Sequence, residues 1–278
     1  MSSAGETTAG DRAGTVDVVI VNWNTSTAAL AAAESYAASE GVEVRVVIFD
    51  NASEADQRLI LEGAPPEISV VLSQENLGFG TAANRALEQG SSAYVLVSNA
   101  DVLPDRTAVR EMVAAFDSIP NCVAVAPVID DGNDYHDQLP GPLTLLMRIP
   151  IGSFNRKPVG APAQGEIAEV GQPAGACFLT SRAVWERLGG FDERFFLWYE
   201  DVDLAKRLEG LGRTSIIAGS ARVRHSGGES FLRLPARTKQ AIRLDSLSLY
   251  LSLHHRPTYI ISRPLEWATR RLRSDRQG

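Results

Sequence analysis

Short apolar runs ending in Asn or Asp recur along the first half of this chain, and that punctuation constrains the fold more than any other feature. The runs are Val16 to Val21, closed by Asn22-Trp23-Asn24-Thr25; Val42 to Phe49, closed by Asp50-Asn51; Ile68 to Leu72; Ala93 to Val97; and Cys122 to Ile129. The intervals read as helices. An Ala-rich stretch reaches Ser39; Ser53 with Asp56 resembles an N-terminal helix box, and its helix stops before Pro65-Pro66. Thr81 to Glu88 forms a third interval, and Pro104 to Phe116, with Pro at its start, a fourth. Strand and helix alternating in this way predict an α/β fold, with a mostly parallel sheet covered by helices on both faces. Ligands of such sheets sit at the carboxyl ends of the strands, where Asn22, Asn24, Asp50, Asn76, Asn99 and Asp101 fall.

Beyond Ile129 the pattern changes. Asp130 to Gly171 is rich in Gly and Pro without a clear period, and is expected to be a long surface excursion. Regular structure resumes at Ala174 to Leu179; a helix ends near Leu211, strands follow near Thr214 to Ile217 and Ala221 to His225, and Ile242 to Leu253 closes as helix. The organisation expected is a disordered N-terminus (1–15), one domain over 16–234 and a basic helical appendage over 235–278. Within the domain, 16–129 would hold a ligand and 130–234 would carry the acceptor and the catalytic group. The stripe Leu244, Leu247 and Leu251 can close the core or pair two subunits, so oligomeric state stays open.

Composition narrows the class. With 44% hydrophobic and 22% charged residues, the 278-residue chain has globular usage and can bury a large core. Cys122 and Cys177 lie in apolar runs and read as core thiols, which suits a reducing, cytoplasmic setting. No apolar stretch approaches the roughly 18 residues of a spanning helix. The net charge of −7 divides unevenly, because from Arg222 onward Lys and Arg number 12 against 4 Asp and Glu. An acidic body argues against a general nucleic-acid binder. The basic end either touches an anionic membrane surface, which would make the protein peripheral at the inner face, or is a solvated helix face.

Several residue groups carry chemistry. Gly78-Phe79-Gly80-Thr81-Ala82-Ala83 fits a dinucleotide fingerprint, but Ser73 to Leu77 separate it from the strand and two strand-helix units precede it, so an NAD-dependent oxidoreductase is the least favoured reading. Asp50 can accept hydrogen bonds from a base or ribose, and Asn22, Asn76 and Asn84 offer paired amides; each alone is equally a turn or cap residue. Asp101 can bind Mg²⁺ or Mn²⁺ with diphosphate oxygens completing the shell, or can cap the helix expected at Pro104. His225 points with the apolar side of its strand. In the stretch Phe195 to Leu204, the stripe Leu204, Leu208, Leu211 puts Asp201 at the core-facing edge of a helix start and Asp203 outside, able to pair with Arg207. Asp201 is the candidate base, with Glu200 and the aromatic surroundings raising its pKa and an N-cap role lowering it.

Taken in order, Val21-Asn22-Trp23-Asn24, Asp50-Asn51-Ala52-Ser53, Asn76-Leu77-Gly78-Phe79-Gly80 with Asn84, Asn99-Ala100-Asp101, Gly189 to Phe196, Glu200-Asp201-Val202-Asp203 and Val223-Arg224-His225 resemble family 2 glycosyltransferases of GT-A fold, in their rhamnosyltransferase-like branch. The resemblance runs from about Val16 to Ser230. It implies an inverting transfer of a sugar from a nucleotide-diphosphate donor (dTDP, UDP or GDP, with a deoxysugar such as rhamnose favoured) to a hydroxyl of a glycan, lipid-linked or natural-product acceptor. It further implies that Asp50 holds the base, that Asp101 is a ligand of Mg²⁺ or Mn²⁺ with His225 as second ligand, and that Asp201 deprotonates the acceptor. Asn22, Asn24, Asn76, Gly78, Asn84, Asn99 and Glu200 complete the implied donor site. Asn99 stands where an Asp-x-Asp segment has its first Asp. The rivals are a nucleotidyltransferase, which would want a Gly-rich basic loop after the first strand, and a non-catalytic sugar-nucleotide-binding partner protein.

Overall fold

The computed structural model describes residues 14–130, 136–151, 158–225 and 234–274. Its central strand, β1 (Thr15–Asn22), is buried along its whole length, because helices cover both faces. Parallel partners flank it: β2 (Glu43–Asp50) and then β3 (Ile68–Leu72) on one side, β4 (Tyr94–Asn99) on the other. Past β4 the sheet becomes mixed. β8 (Cys177–Ser181) runs antiparallel between β4 and β6 (Cys122–Ile129), and β9 (Thr214–His225) is parallel to β6. Two short strands, β5 (Val102–Pro104) and β7 (Ile167–Val170), pair antiparallel with β9. The α/β expectation holds, although the sheet is less uniformly parallel than alternation alone suggests.

One face is covered by α1 (Ser26–Ala37), α2 (Ala55–Leu61) and α4 (Ala108–Ser118), which pack Tyr36, Leu61 and Met112 against Val18, Ile20 and Ile48. The other carries α3 (Phe79–Leu87), α6 (Arg182–Leu188) and α7 (Glu200–Glu209), meeting Val19, Val21 and Phe49 through Ala82, Trp185 and Leu204. Both cysteines are buried thiols, and burial pushes Cys177 up to about 12, as expected for core groups.

Several expectations need correction. Residues 1–13 lie outside the described ones, and Thr15, placed in a disordered N-terminus, already pairs with Glu43. Ser53 does not cap α2: Glu54 holds the N-cap position, while Ser53 Oγ accepts from the Asn24 backbone N–H. The helix expected at Pro104 starts at Ala108, because Val102 to Pro104 extend as an edge strand on β9, where a missing N–H leaves no ladder bond unmade. The two strands expected near 214 and 221 are one strand with a register shift against β6 between Ala218 and Arg222. Helix α6 was not anticipated, although Ser181 caps it by accepting from Val184 N–H and Gly189 ends it at φ +71°.

The supposed surface excursion is in part core. Within it, α5 (Pro142–Ile151) buries Leu145 and Ile149 in a third cluster with Phe195, Tyr199, Val202 and residues of α8 (Ala236–His254). Leu244, Leu247 and Leu251 are buried there, so their stripe closes the core. The last helix, α9 (Arg256–Ser274), packs on α5 and α8. This layer reverses the expectation for Asp203, which lies buried beneath α8 and accepts from Arg207 Nε at 2.7 Å while meeting His254 Nε2 at 2.7 Å.

Candidate active site

A cavity of about 800 Å³ opens at the carboxyl end of the parallel strands. Its walls come from two sources. Trp23, Asn51, Asn76, Gly78, Asn99 and Asp101 follow the strand ends; Gln172, Gly175, Trp198, Glu200, Asp201 and Arg243 come from later segments. The strands place their end residues together because β1 and β2 pair in register through Asn22 and Asp50.

Behind the first wall lies an amide and carboxylate frame. Asn22 is fully buried: its Nδ2 donates to Asp50 Oδ1 at 2.9 Å and to Ser26 Oγ at 3.0 Å, and its Oδ1 accepts from Thr25. Asp50, also fully buried, accepts from Ser53 N–H and faces Arg58 Nε at 3.3 Å. Asn24, at φ +58°, accepts from Glu54 N–H at 2.7 Å. These three, expected as direct ligands, are absent from the cavity wall and stand behind it, with Asn22, Asp50 and the Asn24 side-chain oxygen engaged within the protein.

Asn51 links frame to wall. Its Nδ2 donates to Asn76 Oδ1 at 2.9 Å and Gly78 O at 3.1 Å, and its Oδ1 accepts from Leu77 N–H at 2.8 Å. Reading single residues missed it, although its place directly after Asp50 marked it. Asn76 and Gly78 lie on the wall as expected. Gly78 has φ +83°, and a Cβ there would collide with the Phe196 carbonyl, which accepts from Phe79 N–H at 2.9 Å. The left-handed turn at Gly78 therefore serves a close approach of the Phe196 backbone. Asn84, expected in the donor site, is absent from the cavity wall: its amide exchanges hydrogen bonds with Phe191 N–H and C=O at 3.0 and 2.9 Å, clamping α3 to the loop after α6.

Asn99, Asp101 and His225 meet on the wall, with Asp101 Oδ1 3.1 Å from His225 Nε2. The β5–β9 pairing makes this contact, setting Val102 opposite His225. A carboxylate and an imidazole side by side suit a divalent cation whose remaining positions phosphate oxygens fill. The described residues contain no group of three His, Cys, Asp or Glu poised as a complete metal site.

Across the cavity, Trp198 and Tyr199 both hold left-handed backbone, at φ +64° and +67°. Each such non-glycine conformation costs on the order of 1–3 kcal/mol and persists only when its surroundings enforce it. Here Ser246 Oγ donates to Leu197 O at 2.8 Å and the Tyr199 ring packs 5.8 Å from that of Tyr250. The turn aims Glu200 and Asp201 at the cavity. Asp201 Oδ2 accepts from Gly175 N–H and Gln172 Nε2, both at 3.3 Å, and Oδ1 accepts from Val202 N–H. Burial outweighs these donors and raises the Asp201 carboxyl above the ordinary carboxylate range. Burial, followed by the Asp201 charge, pushes Glu200 up to about 8, and Glu200 Oε2 has no hydrogen-bond partner among the described residues. Gln172 and Gly175 were missed as well, because only folding brings 172–175 to α7.

The family model "Glycosyl transferase family 2" matches residues 17–187. An N-acetylglucosaminyl-diphospho-decaprenol L-rhamnosyltransferase of Mycobacterium tuberculosis is 31% identical over 257 residues, covering 82% of this chain and 80% of its own length. Among solved structures, a mannosyltransferase from Pyrobaculum calidifontis in complex with GDP-Man and Mn²⁺ aligns with TM-score 0.59 at 17% identity, over 91% of this chain and 69% of that one. GalNAc-T7 with UDP, GalNAc and Mn²⁺ aligns with TM-score 0.55 at 16% identity, over 76% and 43%. The two structures speak to the fold, which is of GT-A type. The chain belongs to glycosyl transferase family 2 and is a glycosyltransferase.

Proposed function

We propose that this glycosyltransferase moves a deoxyhexose, rhamnose in the first instance, from a dTDP donor to a hydroxyl of a lipid-linked, diphosphate-bearing acceptor, with inversion at the anomeric carbon. The observation that carries the reading is that Asp201 and the Asp101–His225 pair lie on the walls of one cavity. The likeness to the rhamnosyltransferase supports the choice of sugar and acceptor.

In this reading Trp23, Asn76 and Gly78 receive the nucleoside, and Asp50 holds the base side through the Asn22 and Asn51 frame. Asn99, Asp101 and His225 face the diphosphate. Asp101 and His225 would hold Mg²⁺ or Mn²⁺, which offsets the charge of the departing diphosphate. Asp201 takes the proton of the acceptor hydroxyl; that oxygen bonds to the anomeric carbon as the bond to the diphosphate oxygen breaks on the opposite face. A base whose pKa burial has raised is better matched to neutral pH than an ordinary carboxylate. Because a diphosphate leaves readily, one carboxylate suffices, whereas glycosidases use two. Arg148 and Arg243, also on the wall, supply positive charge where α5 and α8 meet it, suited to an acceptor diphosphate.

The test is a thermal-shift panel with dTDP-, UDP- and GDP-sugars, with and without Mn²⁺ or Mg²⁺, and NAD as control, followed by turnover with the stabilising donor. A ligand at about 100 times its Kd adds roughly 2.7 kcal/mol of stability. Stabilisation by a dTDP-sugar, strengthened by metal, is expected. Stabilisation by a UDP- or GDP-sugar alone overturns the donor choice, and stabilisation without any sugar transfer favours a non-catalytic binder.

A further inference from the structure

Helix α9 is amphipathic with its faces reversed. A helix on a protein surface normally turns apolar residues inward. This one buries Thr258, Ser262, Glu266 and Thr269 against the body, with Ser262 Oγ donating to Glu266 Oε1 at 2.6 Å. Outward it shows Ile260 at 64% exposure, Ile261 at 66%, Leu265 at 38% and Trp267 at 61%. Ile260, Pro264, Trp267 and Arg271 follow one another at helical spacing, so they share a face, and the Arg271 guanidinium lies 5.1 Å from the centre of the Trp267 ring.

Charge selects the partner. The helix sequence contains Arg256, Arg263, Arg270, Arg271 and Arg273 against a single acid, Glu266, whose buried carboxylate Arg263 Nη1 meets at 3.4 Å, so the segment combines outward apolar side chains with a net positive charge. A second copy using the same face would bring arginines against arginines. No helix among the described residues is long and apolar enough to cross a membrane. Tryptophan and isoleucine bordered by arginine is the pattern of a helix lying in a bilayer interface, with apolar side chains at the acyl boundary and guanidinium groups among phosphates.

We propose that α9 docks in the plane of an anionic lipid bilayer, inserting Ile260, Ile261 and Trp267 while the helix's excess of arginine over acid faces the headgroup phosphates. The inference stands on this helix alone and goes beyond the assignment of donor and base. Its consequence for the site runs through α5, which packs on α9 and carries Arg148 on the cavity wall, bringing the cavity close to the surface in which a lipid-linked acceptor is held.

The experiment is flotation of the full chain with vesicles of phosphatidylcholine alone or mixed with phosphatidylglycerol. Binding is expected to the anionic vesicles, weakening as salt is raised well above about 0.1 M because the Debye length shortens. The double variant Ile260→Glu/Ile261→Glu changes only exposed positions, so its melting temperature should hold while its vesicle affinity drops by roughly tenfold or more. Absence of flotation with anionic vesicles at low salt, or equal flotation of the double variant, overturns the proposal. So does light scattering that shows a dimer split by the double variant without vesicle binding, which assigns the face to a second copy. Transfer to a soluble acceptor analogue should be the same for wild type and double variant, which separates failure of the anchor from failure of the catalytic assignment.

Discussion

The two walls of the cavity reach the same place by opposite means. The first wall is a set of strand ends delivered by the parallel strands and locked from behind by Asn22, Asp50 and Asn51, whose polar atoms are paired. The facing wall is assembled from 172–175, 196–202 and α8 and carries the carboxyls of Glu200 and Asp201, whose pKa values burial raises, while left-handed non-glycine residues occur on both sides, Asn24 and Ala52 on one and Trp198 and Tyr199 on the other. One wall gains stability from its polar groups and the other spends it. The difference teaches how each wall is built: a network of paired polar atoms holds the strand ends in place, and opposite it stand buried carboxyls held above their ordinary pKa.

The largest effect is expected at Asp201. Asp201→Asn is expected to lower kcat by about 10²–10⁴-fold with donor affinity kept, as for removal of a general base. Its melting temperature should be unchanged or higher, since a carboxyl that burial disfavours is gone. For the wild type, kcat/KM should fall as pH drops through a value above the ordinary carboxylate range, because the ionised form is the base. Steady-state kinetics with donor titration reads both effects, and near-normal turnover in the variant removes the assignment.

Asn51→Ala probes the opposite wall. Three hydrogen bonds end there, leaving Leu77 N–H without its acceptor, so a loss of about 2 kcal/mol in denaturant unfolding is expected, with donor binding weakened in parallel. A variant as stable as the wild type would mean that the frame does not support the wall.

A further effect, on the pH dependence of stability, concerns Glu200. Its folded value of about 8 lies above the roughly 4.3 of an unfolded chain, so its contribution is fully present below about pH 4 and is lost as pH rises toward about 8. Glu200→Gln removes that loss. Melting temperatures of the two proteins should therefore diverge between about pH 5 and about pH 8, the variant gaining on the wild type; parallel curves would show that Glu200 ionises like an exposed acid.

How much was legible differs between the walls. β3 and β6 fall on the residues expected from apolar runs, and β1, β2 and β4 differ by a residue or two; β1 and β6, buried throughout, write themselves as continuous apolar runs, whereas β3 is apolar yet largely exposed at the sheet edge. Asn76, Gly78, Asn99, Asp101, Glu200, Asp201 and His225 do line one cavity. Asn22, Asn24, Asp50 and Asn84 do not, because a sequence shows that an amide stands at a strand end without showing what already satisfies it. Asp203 was placed outside for a related reason: the helix that covers it arrives about fifty residues later, through His254.

By itself, then, the sequence determined the alternating α/β class, the strand ends that line the cavity and the candidate base, since local periodicity and strand-end chemistry need no knowledge of distant partners. Tertiary structure alone decided that 142–151 is core and not excursion, that Asn84 is a clamp, that Asp101 meets His225, and that α9 turns its apolar side outward. Each of these depends on which surface a segment finds against it, and burial is a property of the neighbour as much as of the residue.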